Sequence, residues 1–233
     1  MAVTPMKEGF KLKIIGTFLK GSQNYGLDTP ASDKDFVHIY VPSLEDLYFN
    51  RKPEGANENN AYWSLKFFID KLLENDPTAL EILFSTEQTF YDGDFHYLVN
   101  KIIAYVKYGQ WIPTNWRSFF RKFCGITTSE FKAAYDRHDN KKLSRAIYFL
   151  YLANTIVDNN GELKESIYRI PPKASFQLKH NYPDAEKYWD EYKNYNDLIK
   201  NLAAREEKAP QFTVINQYEF WHNEALKIYK KEN

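Results

Sequence analysis

Strand-like segments are confined to the front of this chain, before Gly93, and that asymmetry limits the folds open to it. Lys11 to Phe18 is rich in β-formers and runs into Leu19-Lys20-Gly21-Ser22, a strand entering a turn. Asp35 to Val41 alternates, carries β-branched and aromatic residues, and is closed by Pro42; it reads as a second strand. Ser43 opens a short acidic helical piece, and Arg51 to Asn60, with Pro53 and Gly55, reads as a loop. Between Trp63 and Leu73, the residues Leu65, Phe68, Ile69, Leu72 and Leu73 recur at helical spacing, until Asn75-Asp76-Pro77 stops the helix. Ala79 to Phe84 is apolar around a single acid, Glu81, and fits a strand or a brief helix equally well.

From Gly93 onward the pattern turns helical. Asp94 to Tyr108 is one helix and Trp111 to Cys124 another. Thr127 and Glu130 stand at capping-box spacing, which predicts a new helix toward Tyr135. Asn140 is placed to cap a helix running through Tyr151 and ending at Asn159-Asn160-Gly161. Pro171-Pro172 marks a turn, Tyr188, Tyr192, Tyr195, Ile199 and Leu202 form one stripe, and a last helix carries Phe220, Trp221 and Ile228. The chain is therefore expected to be α+β over residues 1–92 and helical over residues 93–233.

Composition excludes more than it proposes. With 31 acidic and 31 basic residues there is no global field to draw a polyanion, so any such site must be a local patch. The lone Cys124 cannot form an internal disulfide, and the histidines (38, 96, 138, 180, 222) lack metal-ligand spacing. The apolar stretch Ala146 to Val157 is short of the ~20 residues that cross a bilayer. MAVTPMKEGF has no apolar leader region, so the expected setting is the cytoplasm, away from membranes.

The chemistry concentrates between Gly21 and Asp35. Gly21-Ser22 leaves the first strand as a turn able to bring backbone N–H groups and a hydroxyl close to phosphate oxygens. Asp33 and Asp35 enter the second strand at i and i+2, so both carboxylates point to one face while Lys34 and Phe36 point away. Two converging carboxylates repel unless a cation joins them, and a carboxylate pair completed by substrate phosphates suits Mg²⁺. Lys141 and Arg145 share a helical face and are candidate phosphate-binding cations; Arg117, Arg121, Lys122 and Lys142 are weaker ones.

Taken together, Gly21-Ser22, Tyr25-Gly26 and Ser32-Asp33-x-Asp35 resemble the signature of the DNA polymerase beta-like nucleotidyltransferases. Within that superfamily the segment is similar to the uncharacterised bacterial and phage predicted nucleotidyltransferases, where Gly-Ser-x-x-x-Gly-x-x-x-x-x-Ser-Asp-x-Asp is typical. Asn75-Asp76-Pro77-Thr78-Ala79-Leu80-Glu81-Ile82-Leu83-Phe84 resembles their Asn-Pro-x-x-Leu-Glu-x-Leu-Phe element, with Asp76 as an extra residue. Those relatives often show Lys, then His four on, then Arg three further; here Lys141, Arg145 and Tyr148 keep only the lysine. The resemblance covers roughly residues 12–85.

It implies a small mixed sheet with flanking helices and transfer of a nucleoside monophosphate to an acceptor hydroxyl, with release of pyrophosphate. Two Mg²⁺ ions would be held by Asp33, Asp35 and Glu81, the donor would be a nucleoside triphosphate (ATP foremost), and Gly21 and Ser22 would contact its phosphates. Phosphoryl-type transfer needs mainly positioning and charge neutralisation, so no His or Cys nucleophile is required. Glu81 is then expected on the strand beside Asp33 and Asp35, facing them, with Lys141 and Arg145 opposite on a cleft wall made by the helical half. The acceptor stays open between an RNA end, a protein side chain and a small molecule. A catalytically inert nucleotide-binding or interaction module, toxin- or antitoxin-like, is the alternative.

Overall fold

The computed structural model of the chain describes residues 13–48, 59–108, 111, 115–209 and 217–232. Four strands form one mixed sheet: β1 (Lys13–Lys20), β2 (Asp35–Val41), β3 (Asn60–Ser64) and β4 (Gln88–Phe90), in the order β3-β2-β1-β4. β1 runs antiparallel to both β2 and β4, and β3 lies parallel to β2. The last pair of the β1–β2 ladder is Lys20 opposite Asp35, so the strand that ends at the glycine turn and the strand that begins with the acid meet edge to edge. Most of the loop read at Arg51 to Asn60 lies outside the described residues.

The helices cover the sheet because its inner face is a row of rings. Phe18 has its ring centroid 6.4 Å from Phe68 and 6.1 Å from Phe95, with Phe90 at 5.5 Å. Phe68 belongs to α2 (Leu65–Leu73), whose Ser64 cap accepts a hydrogen bond from Phe67 N–H, and Phe95 belongs to α4 (Gly93–Lys107), capped by Asp92. A short helix, α1 (Leu44–Tyr48), follows β2, and α3 (Pro77–Leu83) follows α2. Gly16, at a register shift in β1, is where Phe95 comes nearest: a Cβ there would sit 2.5 Å from Phe95 Cε1. That ring is fully buried and held between Phe18, Phe68 and Phe90, so it cannot swing away. Gly16→Ala is accordingly expected to lose ~1–3 kcal/mol of stability through overpacking. A urea melt reads this directly, and an unchanged midpoint would mean that the ring yields.

The remainder is helical. α5 (Trp116–Arg137) and α6 (Asn140–Asp158) form an antiparallel pair, followed by α7 (Glu165–Arg169), α8 (Lys173–Lys179), α9 (Lys187–Glu191), α10 (Tyr195–Ala204) and α11 (Gln217–Glu232). α6 is buried on almost every side, through Leu143, Ala146, Ile147, Tyr148, Phe149, Leu150, Leu152, Ala153 and Ile156, and is the central post of this half. α11 returns to α2 through Trp221, whose ring lies 5.4 Å from Trp111, and Trp111 Nε1 donates to Leu72 O at 3.1 Å. One continuous apolar cluster runs from β1 to α11. Among the described residues no helix is long and apolar enough to cross a membrane.

Three local expectations are corrected. The helix expected from Thr127 does not begin there, because α5 is unbroken from Trp116 to Arg137; Thr127 is buried and Thr128 Oγ1 bonds back to Cys124 O at 2.7 Å. α6 is capped by Asp139, which accepts from Lys141 and Lys142 N–H, rather than by Asn140, whose Oδ1 accepts from Trp189 Nε1 at 2.9 Å. Tyr188 to Leu202 is two helices, α9 and α10, not one stripe.

Candidate functional site

The exit from β1 is a tight coil. Gly21 has φ +83°, its carbonyl accepts from both Asn24 N–H and Tyr25 N–H, and Ser22 O accepts from Leu27 N–H. Gly26, at φ +68°, closes the coil where a side chain would come within 3.1 Å of Arg169 O. The next loop is pinned by Ser32, whose Oγ accepts from Thr29 N–H at 2.8 Å while Gln23 Nε2 donates to its carbonyl at 3.1 Å. This delivers Asp33, exposed, and Asp35, half-buried, to the end of β2. Asp35 Oδ2 lies 3.0 Å from the point where a Gly21 Cβ would stand, so the acid leans on the glycine turn.

Glu81 sits elsewhere than expected. It lies on the helix α3, capped by Asp76 and started by Pro77, and not on a strand beside β2. A helix wins because Asp76 and Pro77 supply a strong N-terminus: Asp76 Oδ1 accepts from Thr78 and Ala79 N–H. The Glu81 carboxylate turns toward the glycine coil. Its Oε1 accepts from Gly21 N–H at 2.6 Å and from Asn24 Nδ2 at 3.3 Å, and its Oε2 accepts a short hydrogen bond from the Tyr25 hydroxyl. Asn24 Oδ1 in turn accepts from Thr86 N–H at 2.9 Å. Among the described residues no three His, Cys, Asp or Glu side chains converge in a metal-holding group.

Burial pushes the Glu81 carboxyl up to about 7, against the pull of the Tyr25 hydroxyl, Gly21 N–H, the Asn24 amide and the Arg145 charge. The phenols around it are held neutral: Tyr25, Tyr148 and Tyr168 are all raised, first by burial and, among other causes, by the charge of Glu81. Tyr25 stacks at 4.4 Å on Tyr148 of α6, which ties the coil to the helical half.

Glu81, Tyr25 and the Gly21-Ser22 turn open on one cleft of about 440 Å³. Gly21, Ser22, Asp33, Asp35 and Glu81 line one side, and Lys141 and Arg145 of α6 line it from the helical half. The weaker cation candidates, Arg117, Arg121, Lys122 and Lys142, do not line this cavity; Lys122 pairs with Glu74 and Lys142 with Glu130 instead. Lys141 is exposed. Arg145 leans over the Phe149 ring at 5.5 Å with Nη1 3.5 Å from Glu130 Oε1, and its buried Nε has no hydrogen-bond partner among the described residues.

Sequence reasoning passed over Lys179, at the end of α8, and Lys20, which also line the cleft. Lys179 is held below the usual lysine range by burial and then by Lys141, with Arg145 adding to the effect, which places three cations within one another's field. Nothing near Lys179 marked it: it follows a proline turn on a short helix, and only tertiary packing brings it to Asp33. Asn24 and Tyr25 lay inside the motif, but their partner was 56 or more positions away.

Comparison with known proteins is sparse. No family model and no solved structure matches the chain. It is similar to an uncharacterised 38.9 kDa protein of the nrdC–mobD intergenic region of Enterobacteria phage T4, 31% identical over 88 residues. The match takes in 32% of this chain and 26% of the phage protein.

Proposed function

We propose that the chain is a Mg²⁺-dependent nucleotidyltransferase that takes a nucleoside triphosphate into this cleft. The observation that carries the reading is convergence: an acid pair, a positive-φ glycine coil and cations from a distant helix meet around one cavity of about 440 Å³. That volume accepts a ligand of nucleotide size. The donor set also fits the absent ion. Mg²⁺ is commonly bound by one or two carboxylates with the remaining positions filled by water and substrate phosphates, and Asp33 and Asp35 supply such a pair. Bound there, the metal would offset triphosphate charge and acidify the acceptor hydroxyl.

The chain's own residues do the rest. Lys141, Arg145 and Lys179 neutralise phosphate oxygens from the opposite wall. Gly21 N–H is committed to Glu81 and is not free for phosphate; Ser22, beside it on the lining, is the remaining contact from the coil. In this reading Glu81 is a positioning residue that fixes the coil against α3, and Asp33 and Asp35 alone would hold the metal. An acceptor oxygen forms a bond to the α-phosphorus as the bond to pyrophosphate breaks, and the hydroxyl proton passes to solvent. The test is incubation with each α-labelled triphosphate and Mg²⁺, with and without total RNA or lysate, alongside calorimetry. Label transfer from at least one triphosphate is expected. Mg²⁺-dependent binding without transfer to anything would leave the inert nucleotide-binding module, and no binding of any triphosphate would overturn both readings.

A further inference from the structure

The cleft does not end at Lys141 and Lys179. A second, shallower groove of about 540 Å³ continues from them and shares Thr29, Lys141 and Lys179 with the cleft. Its far end is formed where α5 stops and α6 starts. His138, in the left-handed region at φ 50°, reverses the chain there, so that Arg137, His138, Asp139, Asn140 and Lys141 crowd one rim. Leu178, Lys179 and Asn181 at the end of α8 form the other rim.

The charge of this groove is one-sided. Arg137, Lys141 and Lys179 enter no ion pair among the described residues. The acid of the lining, Asp139, spends its Oδ1 on the N–H groups of Lys141 and Lys142, and Asp139 and Asp28 act on Lys179 as charges without forming an ion pair with it. A flat ring, His138, stands in one rim, and Phe176, His180 and Tyr182 neighbour Leu178, Lys179 and Asn181 of the other along the chain. The exposed His138 ring stacks on Trp189 at 4.2 Å. On the other side Phe176, 37% exposed, stacks on His180 at 4.0 Å, with Tyr182, 47% exposed, 6.2 Å from Phe176. His180 Nε2 also reaches Asp28 O at 3.0 Å, which fastens this rim to the loop leading to Asp33.

From this arrangement we infer that the groove binds a single-stranded polynucleotide and leads its end into the cleft as the acceptor. Unpaired cations spaced along a channel follow a phosphate backbone, and exposed stacked rings receive unpaired bases. An acidic peptide would satisfy the cations and leave the rings unused. The inference rests on the nucleotidyltransferase reading for the word acceptor; the binding itself does not need it.

The experiment therefore separates the two. Fluorescence anisotropy of labelled 12-mer RNA, and of DNA of the same sequence, is measured in EDTA without triphosphate, across a salt series. Binding that weakens with salt is expected, and the ratio of the RNA and DNA arms reads whether the sugar matters. Arg137→Ala is expected to weaken binding several-fold and to reduce the salt slope by about one. Tyr182→Ala should weaken it several-fold with the slope unchanged, because it removes a stacking surface and no charge. Both side chains are exposed and outside the cleft, so Mg²⁺–triphosphate binding by calorimetry should stay at the wild-type level in each. Three results would overturn the inference: no anisotropy change with either strand at low salt, variants indistinguishable from wild type, or equal competition by a polyglutamate of the same charge. Loss of triphosphate binding in the wild type with the strand still bound would sink the proposed function and leave the groove standing.

Discussion

Replacing Asp33 or Asp35 with Asn is expected to abolish Mg²⁺-dependent triphosphate turnover while leaving the melting temperature near that of the wild type. If the pair holds the metal, each carboxylate supplies charge that an amide oxygen cannot, and losing it removes several kcal/mol of transition-state stabilisation, on the order of a thousandfold in rate. The fold should survive because neither side chain supports the core: Asp33 is exposed ahead of β2, and Asp35 is half-buried at its first position. The two sites differ in exposure. Asp33 is exposed ahead of the strand, whereas Asp35 lies against the Gly21 turn. Gly21→Ala should therefore reproduce part of the Asp35→Asn loss, since its Cβ would displace Oδ2 from 3.0 Å while forcing a non-glycine residue to φ +83°. Calorimetry with a non-hydrolysable triphosphate and Mg²⁺, beside a turnover assay, checks all three. Wild-type binding and turnover in Asp33→Asn and Asp35→Asn would remove the acid pair from the site.

How far the sequence alone carries is clearest at the places where it misleads. β1 and β2 are legible because their signals are local, alternation and a glycine turn, whereas the i, i+2 strand argument for the acids reaches only Asp35, since Asp33 lies ahead of β2. β3 escapes because all five of its residues are half-buried, which erases the alternation, and because Trp63 beside Ser64-Leu65 reads as a helix start. β4 is three residues long and carries no pattern at all. Glu81 shows a deeper limit. An acid inside Ala79-Leu80-Glu81-Ile82-Leu83 advertises a buried site but does not say what satisfies it, and the answer lies in Gly21, Asn24 and Tyr25. Lys179 and the Arg137 groove are properties of how α5, α6 and α8 pack, and helical spacing within any one of them leaves no trace of it.

Glu81 should also leave a mark on stability that its neighbours do not. Burial raises its folded-state value to about 7, above the ordinary 4.5, so the folded protein keeps this proton over a range in which the unfolded chain has released it. The folded state then binds more protons than the unfolded state between those two values. Stability from this group is full below pH 4.5, declines as pH rises toward 7, and is flat above it. A gap of that size corresponds to ~3 kcal/mol. Other carboxylates work in the opposite direction, Glu224 among them, so the quantity to measure is the difference between two proteins. Glu81→Gln is an uncharged isostere of the protonated acid whose Oε1 can still accept from Gly21 N–H. It should match the wild type near pH 5 and exceed it by ~3 kcal/mol at pH 8, about 6–12 °C in melting temperature for a chain of this size. Glu81→Ala separates charge from hydrogen bonding. It leaves Gly21 N–H and the Tyr25 hydroxyl without their acceptor, at ~1–3 kcal/mol each, and Asn24 Nδ2 with only the residue-81 carbonyl at 3.5 Å, and should be destabilised at every pH. A Gln variant whose advantage does not grow with pH would mean that the carboxylate is already ionised in the fold, held by Arg145 and the coil more strongly than burial opposes it.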